Sequence, residues 1–139
     1  MANVVLIVDD DPNSMKLTYD LLNVCGYTTL AAVNGLQAVE MAKSHIPDLI
    51  LMDIQLPLMD GLSATRLIKA DIATRDIPII AATAYAMKGD EEKVIEAGCS
   101  GYITKPIDIQ VLLSTVDRYL SNKNTESFNK GGKSDKQKG

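Results

Sequence analysis

Residues 49–61 read LILMDIQLPLMDG. Leu49 to Met52 are four apolar residues in a row with no polar alternation, the pattern of a strand buried on both faces of a parallel sheet. Asp53 follows at once, with Ile54 beyond it, so its carboxylate stands at a strand tip. Asp60 can cap a helix that begins at the end of the stretch.

Outward from this segment the same alternation of elements recurs. Val4 to Val8, Thr28 to Val33 and Ile77 to Ala82 are further strand candidates, with a weaker one at Gly101 to Ile103. Helical spacing lies between them, at Leu17, Leu21 and Val24, at Val39 and Ala42, at Leu62, Thr65 and Ile68, and at Val94 and Ala97. Ile109, Leu112, Leu113, Val116 and Leu120 stripe a last helix. Asp11 before Pro12, Asn34 and Asp108 are cap candidates, and Gly26 and Gly98 stand where helices end. Five strands alternating with five helices predict an α/β fold, a doubly wound, five-stranded parallel (βα)5 sheet of the flavodoxin-like kind. The domain spans residues 1–121, and 122–139 form a polar tail expected to be disordered.

Composition narrows the function. The 139 residues support one domain, and 46% hydrophobic content supplies a core without metal or disulfide staples. The net charge is −4; residues 121–139 hold five lysines against Glu126 and Asp135, so the tail carries +3 and the body −7. An acidic body with no aromatic platform among basic residues argues against direct nucleic-acid binding. No apolar stretch approaches the roughly 18 residues of a membrane span, and no secretory leader is indicated, so a cytoplasmic location without membrane attachment is expected. Cys25 and Cys99 form no CxxC and read as buried or half-buried thiols in a reducing compartment.

In a doubly wound sheet, ligands bind beyond the carboxyl ends of the strands, where the strand order switches. Those ends carry Asp9 and Asp10, Asp53, Thr83, and Lys105 with Pro106. Three carboxylates at one point repel each other unless a cation is supplied, and oxygen donors suit a hard divalent ion that completes its shell with water and phosphate oxygens. Thr83 can donate to a phosphoryl oxygen and Lys105 can neutralise another, which leaves Asp53 as nucleophile for phosphoryl transfer. Each residue alone has a plainer reading. Acids at strand ends are often solvated caps, Thr83 is an ordinary strand residue, and Tyr102 fits a half-buried aromatic at a sheet edge. Asp11 reads as a helix cap. His45 reads as a solvated helix end beside Pro47, and Asp90 to Lys93 as an exposed first turn favoured by the helix dipole.

Taken in order, LIVDD, LILMDIQLPLMDG, AATAYA and GYITKPI resemble the receiver domain of two-component response regulators, over about residues 3–121. Within that family, TAYAMKGDEEKVIEAG with GYITKPI is most similar to stand-alone receivers of the cell-division type and to receivers attached to hybrid histidine kinases. The resemblance implies that Asp53 is phosphorylated by a histidine kinase or a histidine phosphotransfer protein. It implies Mg²⁺ (or Mn²⁺) held by Asp10, by Asp9 mainly through water, by Asp53 and by the backbone carbonyl of Gln55. It further implies that Thr83 and Lys105 hold the phosphoryl group, that Tyr102 changes rotamer with Thr83, and that the Lys105–Pro106 bond is cis. By the same resemblance, Gln55 and Tyr85 fall at positions that tune phosphoryl lifetime in the family, and the bulk of Tyr85 is expected to slow hydrolysis.

Two other classes compete. A phosphatase of the haloacid dehalogenase type also uses a strand-end aspartate with Mg²⁺ and a lysine, but it requires a second aspartate two residues later, where this chain has Gln55. A nucleotide-binding domain needs a glycine-rich first turn, where this chain has DDDPN. The reading is therefore a single-domain phosphorylation switch, not an enzyme beyond its own phosphorylation and dephosphorylation. By the resemblance its output surface is the fourth helix, fifth strand and fifth helix, meeting a protein partner as a monomer or a phosphorylation-dependent dimer. A relay intermediate, a receiver cut from a hybrid kinase and a degenerate receiver that binds constitutively are the alternatives.

Overall fold

The structure, a computed structural model, describes the backbone of residues 3–84 and 88–128 and the side chains of residues 3–84 and 91–121. Five strands, β1 (Val4–Val8), β2 (Thr28–Ala32), β3 (Leu49–Asp53), β4 (Ile79–Thr83) and β5 (Gly101–Thr104), alternate with five helices. The helices are α1 (Pro12–Val24), α2 (Gly35–His45), α3 (Gly61–Ala70), α4 (Lys88–Ala97) and α5 (Ile109–Phe128). All strand pairs are parallel, in the order β2-β1-β3-β4-β5. The order reverses between β1 and β3, and the acids of both strands lie at that switch.

The unbroken apolar runs are explained by two cores, one on each face. Leu6, Val8, Ile50, Met52, Ile79 and Ala81 point to one side, against α2, α3 and α4. Val5, Ile7, Leu49, Leu51, Ile80 and Ile103 point to the other, against Leu22 of α1 and Leu112, Val116 and Leu120 of α5. Burying both faces removes the polar alternation that a half-solvated strand would show. The caps form as expected: Asp11 Oδ1 accepts from Asn13 N at 3.3 Å, Asn34 Oδ1 from Gln37 N at 2.8 Å and Asp60 Oδ1 from Ser63 N at 2.9 Å. Asp108 Oδ1 accepts from Gln110 N at 2.8 Å. Gly26 (φ 97°) and Gly98 (φ 111°) end α1 and α4 in the left-handed region.

Several sequence expectations need correction. Strand β4 begins at Ile79 rather than Ile77, after Pro78, and it includes Thr83. Of the apolar triad of α1, Leu17 and Val24 face outward, 55% and 85% exposed, and Leu21 is half-buried against the core, while Thr18 and Leu22 are 7% and 0% exposed. Met15, Thr18, Tyr19 and Leu22 form a second stripe of equal period, and that is the one the core takes. Cys99 is buried as expected, whereas Cys25, the C-cap of α1, is exposed. Ile109 is exposed at the start of α5, so that stripe begins at Leu112. Helix α5 is described to Phe128, and residues from 129 onward lie outside the described residues.

Candidate functional site

Strand pairing brings the acids together. Val8 pairs with Met52 in the β1–β3 ladder, so the next residues, Asp9 and Asp53, leave the sheet side by side. Asp9 N donates to Ala32 O at 3.0 Å, which holds the end of β1 in the sheet before the chain turns into α1. Asp9, Asp10 and Asp53 each offer a carboxylate oxygen, and these oxygens lie within 4.8 Å of one another. Asp9 and Asp53 are buried and Asp10 is exposed. Asp11, the third acid in the run, belongs to α1: its carboxylate accepts from Asn13 N and from Ser14 Oγ.

A cation reaches the cluster from the far side of the sheet. Lys105 Nζ lies 2.9 Å from Asp53 Oδ2 and 3.7 Å from Asp9 Oδ2. Its backbone N–H donates to Thr83 O at 2.8 Å, and the following bond to Pro106 is cis. Burial opposes the lysine's charge, but the hydrogen bond to Asp53 and the charges of Asp53, Asp9 and Asp10 outweigh it and raise the pKa above the ordinary lysine value. Burial pushes the Asp9 carboxyl above the usual range; the Asp11 N–H and Lys105 pull it down, and Asp53 pushes it up.

Asp53 is fixed from behind as well. Gln55 N donates to Asp53 Oδ1 at 3.2 Å, Ile54 N to Ala82 O at 3.1 Å, and Gly61 N to Ile54 O at 2.9 Å. A Cβ at Gly61 would stand 2.1 Å from the Asp53 carbonyl oxygen, so α3 approaches this close only because residue 61 is glycine. The motif contains that glycine, but its contact with Asp53 depends on the path of the chain between them. Gln55 itself is exposed.

Thr83 is buried at the end of β4, one residue past the Ala82 that pairs with Asp53. Tyr102 is not gathered into the acidic cluster. It lies half-buried on the α4 side of β5, and its hydroxyl donates to a carboxylate oxygen of Glu91. That hydrogen bond, with burial and the charge of Glu91, raises the tyrosine pKa. Of the acidic run expected to be an exposed turn, Glu92 and Lys93 are exposed while Glu91 is half-buried against Tyr102. Nothing in the sequence marked that pair, because the two residues come from different elements. His45 closes α2 as an exposed last residue. Tyr85 lies outside the described residues.

The donor set of the cluster is oxygen alone, with no thiol or imidazole, and its acids outnumber the single ammonium. Such a set fits a hard divalent cation better than a soft one. Among the described residues no helix is long and apolar enough to cross a membrane.

A doubly wound (βα)5 fold with carboxylates and a lysine at its switch point belongs to a recognisable class. The response regulator receiver domain model matches residues 5–117, and this chain belongs to that family. It is 49% identical over 120 residues to the polar-differentiation response regulator DivK of Brucella anthropi, covering 86% of this chain and 98% of that one. Among solved structures it is similar to the receiver domain of a sensor histidine kinase from Pseudomonas aeruginosa PAO1, which has a magnesium ion coordinated in its active site cleft. That match is 37% identical with a TM-score of 0.81, over 87% of this chain and 99% of the other. The signal receiver domain of a histidine kinase from Syntrophus aciditrophicus is 36% identical with a TM-score of 0.81, over 87% and 92%.

Proposed function

We propose that this chain is a phosphorylation-controlled interaction module that accepts a phosphoryl group on Asp53 from a histidine kinase or a histidine phosphotransfer protein. The observation that carries the reading is the position of Asp53: buried, within 4.8 Å of two more carboxylates, and 2.9 Å from an ammonium. An Asp53 carboxylate oxygen attacks phosphorus and an O–P bond forms. The donor's N–P bond breaks, and its electron pair returns to the imidazole nitrogen. Asp9, Asp10, Asp53 and the backbone carbonyl of Gln55 would hold Mg²⁺, which when bound supplies positive charge to the carboxylates and phosphoryl oxygens. Lys105 neutralises a second phosphoryl oxygen and Thr83 donates to a third. With charge balanced on all three, the protein need only keep the nucleophile in line.

The donor histidine must reach Asp53, so the surface bordering the cluster is where its carrier sits. A groove lined by Ser14, Leu17, Leu21, Lys105, Pro106 and Ile109 runs from the lysine along α1. It continues along α1 past the half-buried Leu21 between the exposed Leu17 and Val24, an apolar surface that suits the apolar face of a histidine-bearing helix. Output passes to a protein partner in the cytoplasm through the face of α4, β5 and α5. The DivK relative is matched over nearly its whole length, which supports a stand-alone regulator. The histidine-kinase receivers support relay within a larger kinase as the second reading.

The test is intact-mass analysis after incubation with Mg²⁺ and acetyl phosphate, beside chelator and Asp53→Asn controls. One added phosphoryl group that disappears in both controls is expected. No modification, even with a competent histidine kinase, would leave a degenerate receiver that works by constitutive binding.

A further inference from the structure

Tyr102 has a partner that the acidic cluster does not use. On β5 it pairs with Ala81, and two residues on Thr104 pairs with Thr83. Side chains alternate along a strand, so these four share the face that α4 covers, and the Tyr102 ring packs against that core. From there its hydroxyl donates across to Glu91, three residues into α4. Among the described residues α4 buries only Val94 and Ala97, while Ile95 is 63% exposed. With so little apolar surface buried over residues 91–97, this end of the sheet holds α4 loosely, and the polar contact of Glu91 with Tyr102 is one of the contacts that position it.

We propose that Glu91 is a latch: its carboxylate holds Tyr102 on α4 and so ties the start of that helix to the state of Asp53. The inference rests on the reading of Asp53 as phosphoacceptor. When Thr83 is drawn toward a phosphoryl group on Asp53, Tyr102 follows only by giving up Glu91. The hydrogen bond therefore favours the unmodified arrangement, and breaking it frees the first turn of α4. Glu91 touches no reacting atom. It is a positioning residue, and its removal shifts the balance between two arrangements without altering the chemistry.

The test uses the full chain with its tyrosines replaced by 3-fluorotyrosine, Tyr102→Phe identifying the Tyr102 fluorine resonance. Wild type, Glu91→Gln and Glu91→Ala are compared with Mg²⁺ alone and with Mg²⁺ plus beryllofluoride as phosphoryl mimic. Expected without the mimic is a Tyr102 signal in Glu91→Ala displaced toward the position that beryllofluoride produces in wild type. Glu91→Gln, which keeps an acceptor, moves it less. Labelling of Asp53 by acetyl phosphate rises about fivefold in Glu91→Ala, the scale of one lost hydrogen bond. A signal indifferent to both replacements but still moved by beryllofluoride overturns the latch and leaves the phosphoacceptor reading intact. A wild-type signal that beryllofluoride does not move, in protein that acetyl phosphate labels, also overturns the latch. Absence of labelling in wild type overturns the phosphoacceptor reading and the latch with it.

Discussion

Lys105 Nζ sits 2.9 Å from Asp53 Oδ2, joining residues 52 positions apart in sequence from the end of β5 to the end of β3. The pair sets the charge balance of the cluster, one ammonium against three carboxylates. Lys105→Met removes the ammonium and leaves Asp9, Asp10 and Asp53 to repel each other. Mg²⁺-dependent labelling by acetyl phosphate is expected to fall by about tenfold or more, as when one donor to a developing oxyanion is lost. Thermal stability without metal falls as well, and added Mg²⁺ restores part of it. Mass spectrometry and a melting curve with and without Mg²⁺ check the two effects; an unchanged labelling rate would exclude the lysine from the site.

Gly61 meets the Asp53 carbonyl so closely that a methyl group has nowhere to go. Gly61→Ala is expected to cost about 2 kcal/mol of stability, the scale of overpacking against backbone. It should also slow phosphoryl acceptance, because relief of the clash moves the tip of β3. Chemical denaturation and acetyl phosphate labelling measure both.

Leu58 has φ 67° and is 80% exposed in the loop between β3 and α3. A branched side chain in the left-handed region costs about 1 kcal/mol, and asparagine tolerates the conformation better. Leu58→Asn is expected to raise the melting temperature by a few degrees without disturbing the core; a lower melting temperature would show that the leucine contributes packing.

Asp60 caps α3 through Ser63, and those hydrogen bonds hold its carboxyl below the ordinary aspartate value of 3.8. A folded pKa below the unfolded one means stability that is fully present above pH 3.8 and lost as the pH falls through the folded value. Asp60→Ala is therefore expected to cost about 1 kcal/mol at pH 7, with the difference from wild type shrinking below pH 4. Urea titrations at pH 7, 5 and 3 follow it. A difference that stays constant across that range would mean the carboxylate's charge plays no part in the cap.

Leu17 lies on the outward stripe of α1 beside the mouth of the site. Leu17→Asp is expected to slow transfer from a histidine-phosphorylated protein by about tenfold, while labelling by acetyl phosphate, which needs no docking surface, stays within about twofold. Equal loss with both donors would indicate damage to the acidic site instead.

Much of this was legible along the chain. Strand identity follows from runs such as Leu49 to Met52, because burial on both faces is written in uninterrupted apolar residues. The acids at strand tips are equally local, since Asp9 directly follows β1 and Asp53 is the last residue of β3. Helix caps at Asp11, Asn34 and Asp60 involve partners within three residues and need no knowledge of the fold.

What the sequence determined by itself is thus the order of elements and the chemistry at their ends, both set by interactions between near neighbours. Tertiary structure decided the rest. Spacing specifies the period of a helix but not which of two stripes turns inward, so only packing against β1 and α5 turned Leu22 in and Leu17 out. The glycine at 61 and the pairing of Tyr102 with Glu91 depend on how close two separate segments come, a distance no local pattern encodes.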